Sequence, residues 1–247
     1  MSVPLLSIVI PAHNEETRLP PSLDKIDAFI RTQAFGIEVV VVENGSRDRT
    51  FEVASAYVAR HPYLRVIQDT QRGKGRAVRT GMLAAKGDYR FICDADLSMP
   101  IEQVLRFIPP AFSNPAVVIA SREAKGAKRY GEPAYRHFIG RVFNTIVRLM
   151  ALPGLQDTQC GFKCIRGDVA EKIFPLQTLE GMSFDVEVLF IARRMGYPIL
   201  EAPIDWYFNA DSRVRLVQDS LTMFADLIAI RSNAARGLYG SAALRSV

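Results

Sequence analysis

The stretch Tyr89-Arg90-Phe91-Ile92-Cys93-Asp94-Ala95-Asp96-Leu97-Ser98 is a short apolar run that ends in two aspartates one residue apart. Tyr89 to Cys93 is nearly continuous in apolar character, the mark of a strand covered on both faces in a parallel sheet. Leu5 to Ile10, Ile37 to Val42, Leu64 to Gln68 and Val117 to Ala120 share that character. Between these runs, residues near 17–31, 50–60, 74–85 and 101–108 carry helical spacing. The order is βαβαβαβαβ, and the expected fold class is α/β, with a doubly wound, mostly parallel sheet.

Composition agrees. The 247 residues are 49% apolar and 23% charged, with 16 Gly and 14 Pro, which excludes disordered, collagenous and coiled-coil classes. In the second half, Tyr135–Met150 reads as a helix stopped by Pro153-Gly154, Phe184–Met195 as another, Tyr197–Tyr207 as a stretch holding a strand, and Leu216–Ile230 as a last amphipathic helix. A single domain is expected over 1–232, with 122–155 as its elaborated acceptor side and 233–247 as a tail. Cys93, Cys160 and Cys164 form neither a disulfide framework nor a zinc site, so a reducing compartment is expected. The N-terminus reads as a first strand and not as a signal peptide. No segment reaches the roughly 18 to 20 apolar residues of a membrane span, so membrane contact is expected to be peripheral.

In a doubly wound sheet, ligands bind at the carboxyl ends of the strands. The residues found there are polar: Pro11-Ala12-His13-Asn14-Glu15-Glu16, Glu43-Asn44-Gly45-Ser46-Arg47-Asp48, Asp94-Ala95-Asp96-Leu97-Ser98 and Ser121-Arg122. In extended chain, side chains at i and i+2 point the same way, so Asp94 and Asp96 converge. A divalent cation, magnesium or manganese, relieves their repulsion and takes its other ligands from water and a diphosphate. A solvated turn capping the next helix is the plainer alternative; the strand-end position favours the metal. Glu43 to Asp48 supplies acceptors where such folds recognise a ribose or base, but Asn-Gly is also a turn and Ser46 or Asp48 also suits a cap for the helix near Thr50. Arg72-Gly73-Lys74-Gly75-Arg76 lacks the spacing of a Walker loop; it reads equally as a phosphate contact through backbone N–H groups and cations, or as a strand-to-helix turn.

The net charge of +5 is localised. Arg122, Lys125, Lys128, Arg129, Arg136, Arg141 and Arg148 face only Glu123 and Glu132 in that window, and the rest of the chain is neutral. A charge run is usually a solvated face, and nucleic-acid binding is a competing use. Aromatic stacking platforms are sparse there, and the amphipathic helix that follows suits an anionic headgroup at a membrane surface. A non-catalytic nucleotide- or nucleic-acid-binding module is the competing class. Paired carboxylates speak against it, since phosphate binding alone does not require them, and no nucleic-acid partner is expected.

Assembled in order, IVIPAHNEE (8–16), VVENGSRDRT (41–50), RGKGRAV (72–78), CDADLS (93–98), ASR (120–122), DTQCGFK (157–163) and FDVEVL (184–189) resemble a family 2 glycosyltransferase of the GT-A fold, in the branch that makes polyprenyl-phosphate sugars. The resemblance spans about residues 5 to 230. It implies that Pro11, Ala12, Glu15, Glu43, Ser46 and Lys74 bind the nucleotide of a nucleotide-sugar donor, and that Asp94 and Asp96 hold Mg2+ or Mn2+ on its diphosphate. It further implies that Arg122 and Arg136 meet the phosphate of a polyprenyl-phosphate acceptor, that Asp157 and Gln159 line the sugar pocket, and that Arg213 lies near the diphosphate. DTQCGFK and FDVEVL most resemble dolichyl-phosphate glucosyltransferases, which implies glucose transferred from UDP-glucose with inversion. Glu43-Asn44 stands where many relatives have Asp-Asp, and Ser98 where mannosyl enzymes often have Gln as a further metal ligand, which leaves base identity and coordination open; GDP-mannose is the alternative donor. A phosphate monoester, with a second pKa near roughly 6, is already a largely dianionic nucleophile at neutral pH, so no strong general base is required. The transmembrane helices common in related enzymes are missing, and the expected location is cytoplasmic, peripheral on the cytosolic face of a membrane.

Overall fold

The apolar runs form strands because each supplies side chains to two cores at once. The computed structural model describes residues 3–209 and 216–240. In β1 (Leu6–Ala12), Leu6, Ile8, Ile10 and Ala12 enter one core while Val9 enters the other; in β2 (Ile37–Asn44), Ile37, Val39 and Val41 alternate in the same way with Val40 and Val42. The two-residue period of a strand thus explains an unbroken apolar sequence: both faces are covered by helices.

α1 (Leu19–Arg31), α2 (Thr50–Val58), β3 (Leu64–Asp69), α3 (Lys74–Ala84), β4 (Tyr89–Ile92) and β5 (Val117–Ser121) stand where the sequence predicts them. α1 opens on Pro20 and Pro21, whose fixed φ suits a first turn, and buries Leu19, Leu23, Ile26 and Phe29 on one face. The predicted helix near 101–108 is a 3-10 helix, Ile101–Arg106, which buries Ile101 and Val104; residues three apart eclipse in that geometry, so one turn covers the sheet. The second half holds β6 (Lys128–Tyr130), α4 (Ala134–Met150), β7 (Lys163–Arg166), α5 (Gly167–Ile173), α6 (Phe184–Arg194), β8 (Ile199–Pro203), β9 (Asp205–Tyr207) and α7 (Leu216–Ala235).

Seven strands make the main sheet in the order β3-β2-β1-β4-β7-β5-β8, and β6 pairs with β9 in a separate ribbon. The one reversal is β7, antiparallel to both neighbours, with Lys163 opposite Ile92 of β4 and Ile119 of β5. The segment entering β7 therefore lies beside the carboxyl ends of β4 and β5. The chain also continues as packed structure past residue 232, where the tail is expected: α7 runs to Ala235, and the buried Tyr239 donates its hydroxyl to Glu187 at 2.7 Å. Glu187 is fully buried and needs donors, which Thr178, Leu179 and Tyr239 supply.

Candidate active site

The carboxyl ends of β1, β2, β4 and β5 and the entry to β7 lie along one edge of the main sheet, the edge at which a doubly wound fold forms its ligand crevice. Beyond β4 the chain does not stay extended, as the sequence suggests, but closes a turn in which the Leu97 N–H donates to Asp94 O at 3.2 Å; Ala95 is buried, Asp94 and Asp96 are half-exposed, and both carboxylates act on the Lys74 ammonium. Lys74, the first residue of α3, brings its Nζ to 2.7 Å from Asp94 Oδ1. Asp96 Oδ1 accepts the Ser98 N–H at 3.1 Å. Enclosure opposes charge on both partners, yet Lys74 holds Asp94 below the usual carboxylate range, and Asp94, Asp185 and Asp96 hold the Lys74 ammonium above the usual lysine value. Among the described residues, no group of three or more His, Cys, Asp or Glu side chains forms a metal cage. Two carboxylates are hard oxygen donors that suit magnesium or manganese when water and substrate phosphates complete the shell. Asp94 and Asp96 thus fit a cation shared with a ligand rather than one sealed in protein.

The β1 and β2 loops are tied to one another. Ser46 Oγ accepts the Asn14 N–H at 3.0 Å, Thr50 Oγ1 the Glu15 N–H at 2.7 Å, and Asp48 Oδ2 the Glu16 N–H at 3.2 Å. Asp48 Oδ1 also accepts the Thr50 N–H at 3.0 Å, so Asp48, one residue before the Arg49 N-cap, holds the start of α2, while Ser46 bridges the loops. Glu43, almost fully buried, accepts the Ser46 N–H at 2.6 Å, and Glu15 pairs with Arg18 at 2.6 Å. Pro11 and Ala12 are the last, buried residues of β1.

The Arg72–Arg76 segment commits two of its amides elsewhere. The N–H groups of Gly75 and Arg76 donate to Glu180 O, at 2.8 and 3.3 Å, and a Cβ on Gly75 would stand 2.6 Å from both Leu179 O and Phe184 Cβ. Those amides are spent on packing α3 against the 179–184 chain, so they offer a phosphate nothing. The Lys74 side chain reaches Asp94, while Arg76 turns to Asp69 and Glu180.

On the opposite side, Arg122 and Asp157 face each other. Asp157 Oδ2 accepts from Arg122 N and Nε at 3.0 and 2.7 Å, and Oδ1 accepts from the same guanidinium at 2.9 Å. Despite burial, this pairing draws the Asp157 pKa down to about 2 and raises that of Arg122. Arg122 also lies over Trp206, 5.3 Å from the ring centroid, and Arg129 over the same ring at 5.9 Å. The aromatic platform that the basic window lacks in sequence is thus brought to it by β9. Arg129 pairs with Glu123 and Glu132, and Arg141 with Glu123, so much of the charge surplus is spent internally. Arg136, in the first turn of α4, stacks over Phe208 at 5.2 Å with its Nε buried and unbonded; among the described residues no carboxylate pairs with it. Gln159 donates to Met223 Sδ on α7 at 3.7 Å. Arg213 lies outside the described residues.

The two sides meet at Gly161, where a Cβ would fall 2.0 Å from Asp94 Oδ2. Two buried charges that no site reading included lie below: Lys163 Nζ is 2.6 Å from Asp185 Oδ1 and 2.6 Å from Cys160 O. Their only signal in the sequence is charge inside two largely apolar stretches, Lys163 in FKCI and Asp185, with Glu187, in FDVEVLF. The three cysteines are free and buried, and burial pushes the Cys160 thiol up to about 11, so none is poised as a nucleophile.

A family model described as Glycosyl transferase family 2 matches residues 7–174. The chain is 33% identical to a dolichyl-phosphate beta-glucosyltransferase of Homo sapiens, over 92% of this chain and 74% of that protein. It is 32% identical to one of Saccharomyces cerevisiae, over 95% and 76%. Among solved structures, glucosyl-3-phosphoglycerate synthase from Mycobacterium tuberculosis in complex with uridine-diphosphate superposes with a TM-score of 0.64, covering 93% of this chain and 80% of that one at 20% identity. At that identity the likeness is one of fold.

Proposed function

Because the chain belongs to glycosyl transferase family 2 and has the GT-A fold, we propose that this enzyme transfers glucose from UDP-glucose to a polyprenyl monophosphate of the dolichyl type, with inversion at the anomeric carbon. The observation that carries the reading is the meeting of two half-sites: the Asp94-Asp96 pair with Lys74 on one wall, and the Asp157–Gly161 segment resting on the Asp94 carboxylate from the other. A donor diphosphate on the first wall faces an acceptor on the second.

The acceptor phosphate attacks the anomeric carbon through an oxygen that carries no proton, the bond to the nucleoside diphosphate breaks, and no base is needed. The chain's own residues position the reactants. Arg136, unopposed by a carboxylate and turned over Phe208, offers its guanidinium to the acceptor phosphate by charge-assisted hydrogen bonds. Arg122 is held at a fixed point by Asp157 and Trp206, and Asp157 and Gln159 border the sugar. Pro11, Ala12, Glu15, Glu43 and Ser46 shape the nucleoside side, where the β1 and β2 loops are locked together. Lys74 directs an ammonium at the diphosphate. A magnesium or manganese ion held by Asp94 and Asp96 would supply the charge that stabilises the departing diphosphate.

Among the described residues no helix is long and apolar enough to cross a membrane. A peripheral approach to the cytosolic leaflet is supported by α4, whose Tyr135, Phe138, Val142 and Leu149 form one exposed stripe beside the exposed Lys125 and Lys128. The test is a donor panel assayed with a short polyprenyl phosphate and, as control, the free polyprenol. Turnover of UDP-glucose with the phosphate alone is expected; preference for GDP-mannose overturns the donor, and equal transfer to the alcohol overturns the acceptor.

A further inference from the structure

Lys163 and Asp185 occupy a place that stability does not explain. Lys163 is 1% exposed in β7, flanked by Ile92 and Ile119 on the neighbouring strands, and Asp185 is 5% exposed in the first turn of α6. Each ion loses its water there, and a buried pair of this kind is commonly no more stabilising than apolar side chains of the same volume. What the pair does is fix two points of the site. Asp185 acts electrostatically on Lys74, and Lys163 on Asp94, so Asp94, Lys74, Asp185 and Lys163 form a cluster of alternating charge running inward from the crevice. Lys163 Nζ also donates to Cys160 O at 2.6 Å, next to Gly161, whose backbone lies against the Asp94 carboxylate. The ion pair therefore anchors the backbone on one side of Asp94 through the Cys160 carbonyl, and its Asp185 end bears on the Lys74 ammonium on the other through charge.

We propose that Lys163 and Asp185 are positioning residues for donor binding: their buried ion pair holds Lys74 and Gly161 on either side of Asp94 and so sets the seat of the nucleoside diphosphate. The inference rests on the glycosyl-transfer reading and extends it to residues that never touch substrate. Asp185 acts here as a fixed negative charge locked to a lysine, and an acceptor that is already a phosphate anion asks no proton removal of it.

The experiment uses the full chain and measures three quantities: affinity for uridine diphosphate by calorimetry with magnesium chloride present, KM for a short polyprenyl phosphate, and Tm. In Asp185→Asn, affinity for uridine diphosphate is expected to fall roughly ten- to hundredfold, the range that groups orienting an ion-binding side chain typically carry, while KM for the polyprenyl phosphate moves less than about threefold. Tm also falls, because Lys163 is left buried without its partner. The double variant Lys163→Met/Asp185→Asn removes both charges and is expected to recover Tm while leaving affinity low. Recovery of affinity together with Tm, or unchanged affinity in Asp185→Asn, overturns the inference. A wild-type protein that binds uridine diphosphate but does not glycosylate polyprenyl phosphate overturns the acceptor reading and leaves this inference standing. A wild-type protein that binds neither uridine nor guanosine diphosphate overturns both.

Discussion

At the scale of single residues, the carboxylates of this site do different work according to what holds them. Asp157 is buried and committed to Arg122 through both oxygens, which depresses its pKa to about 2. A depressed carboxylate contributes stability that is fully present above its unfolded value, near roughly 3.9, and lost as pH falls through the folded one. The shift corresponds to roughly 2–3 kcal/mol. The stability gap between wild type and Asp157→Asn, from urea unfolding, is therefore expected to stay constant above about pH 5 and to shrink between about pH 4 and pH 2. A gap of the same size at pH 5 and pH 3 would contradict the pairing. Asp94, by contrast, is half-exposed and meets its lysine through one oxygen, Oδ1, which leaves it available to a ligand.

The element scale shows why the 157–163 segment belongs to the site. β7 runs against the other six strands of the main sheet, so the residues that enter it, and not those that leave it, reach the crevice. Gly161 is the point of contact. Replacing it by alanine places a Cβ where Asp94 Oδ2 now lies. The atom in the way ends a side chain, not a backbone, so the fold accommodates the change while the carboxylate is displaced. Gly161→Ala is expected to lose turnover to within about tenfold of Asp94→Asn, with Tm lowered by no more than a few degrees. Wild-type turnover in a folded Gly161→Ala protein would separate Gly161 from the site.

For the molecule as a whole, the two faces of α4 answer to different surroundings. Phe143 and Val147 are buried in the core, whereas Phe138 is 69% and Leu149 83% exposed, and α7, which packs against α4, exposes Phe224 and Ile228. Burial of such side chains contributes roughly 1.5–3 kcal/mol each. The double variant Phe138→Glu/Leu149→Glu is expected to weaken co-sedimentation with vesicles containing anionic lipid by about tenfold or more, with Tm unchanged because neither residue packs in the core. Undiminished vesicle binding would remove α4 from the membrane-facing surface.

Much of this was legible in the chain. Continuous apolar runs marked the parallel strands because both sheet faces are covered, and the place of Asp94 and Asp96 at a strand end followed from the apolar run before them; their convergence by a two-residue period did not, because the chain turns at Ala95-Asp96. The lysine of the Arg72–Arg76 turn was legible, but the fate of its amides was not: their acceptor, Glu180 O, is more than a hundred residues away. The pairing of Arg122 with Asp157, the stacking of Arg122 and Arg129 on Trp206 and the Lys163–Asp185 pair are likewise contacts between segments 22 to 84 positions apart. The sequence carried what is local and periodic, namely element type, order and the polar strand ends. Which charges are free and which are spent depended on the antiparallel insertion of β7, since the reversal of one strand brings side chains together that no spacing along the chain relates.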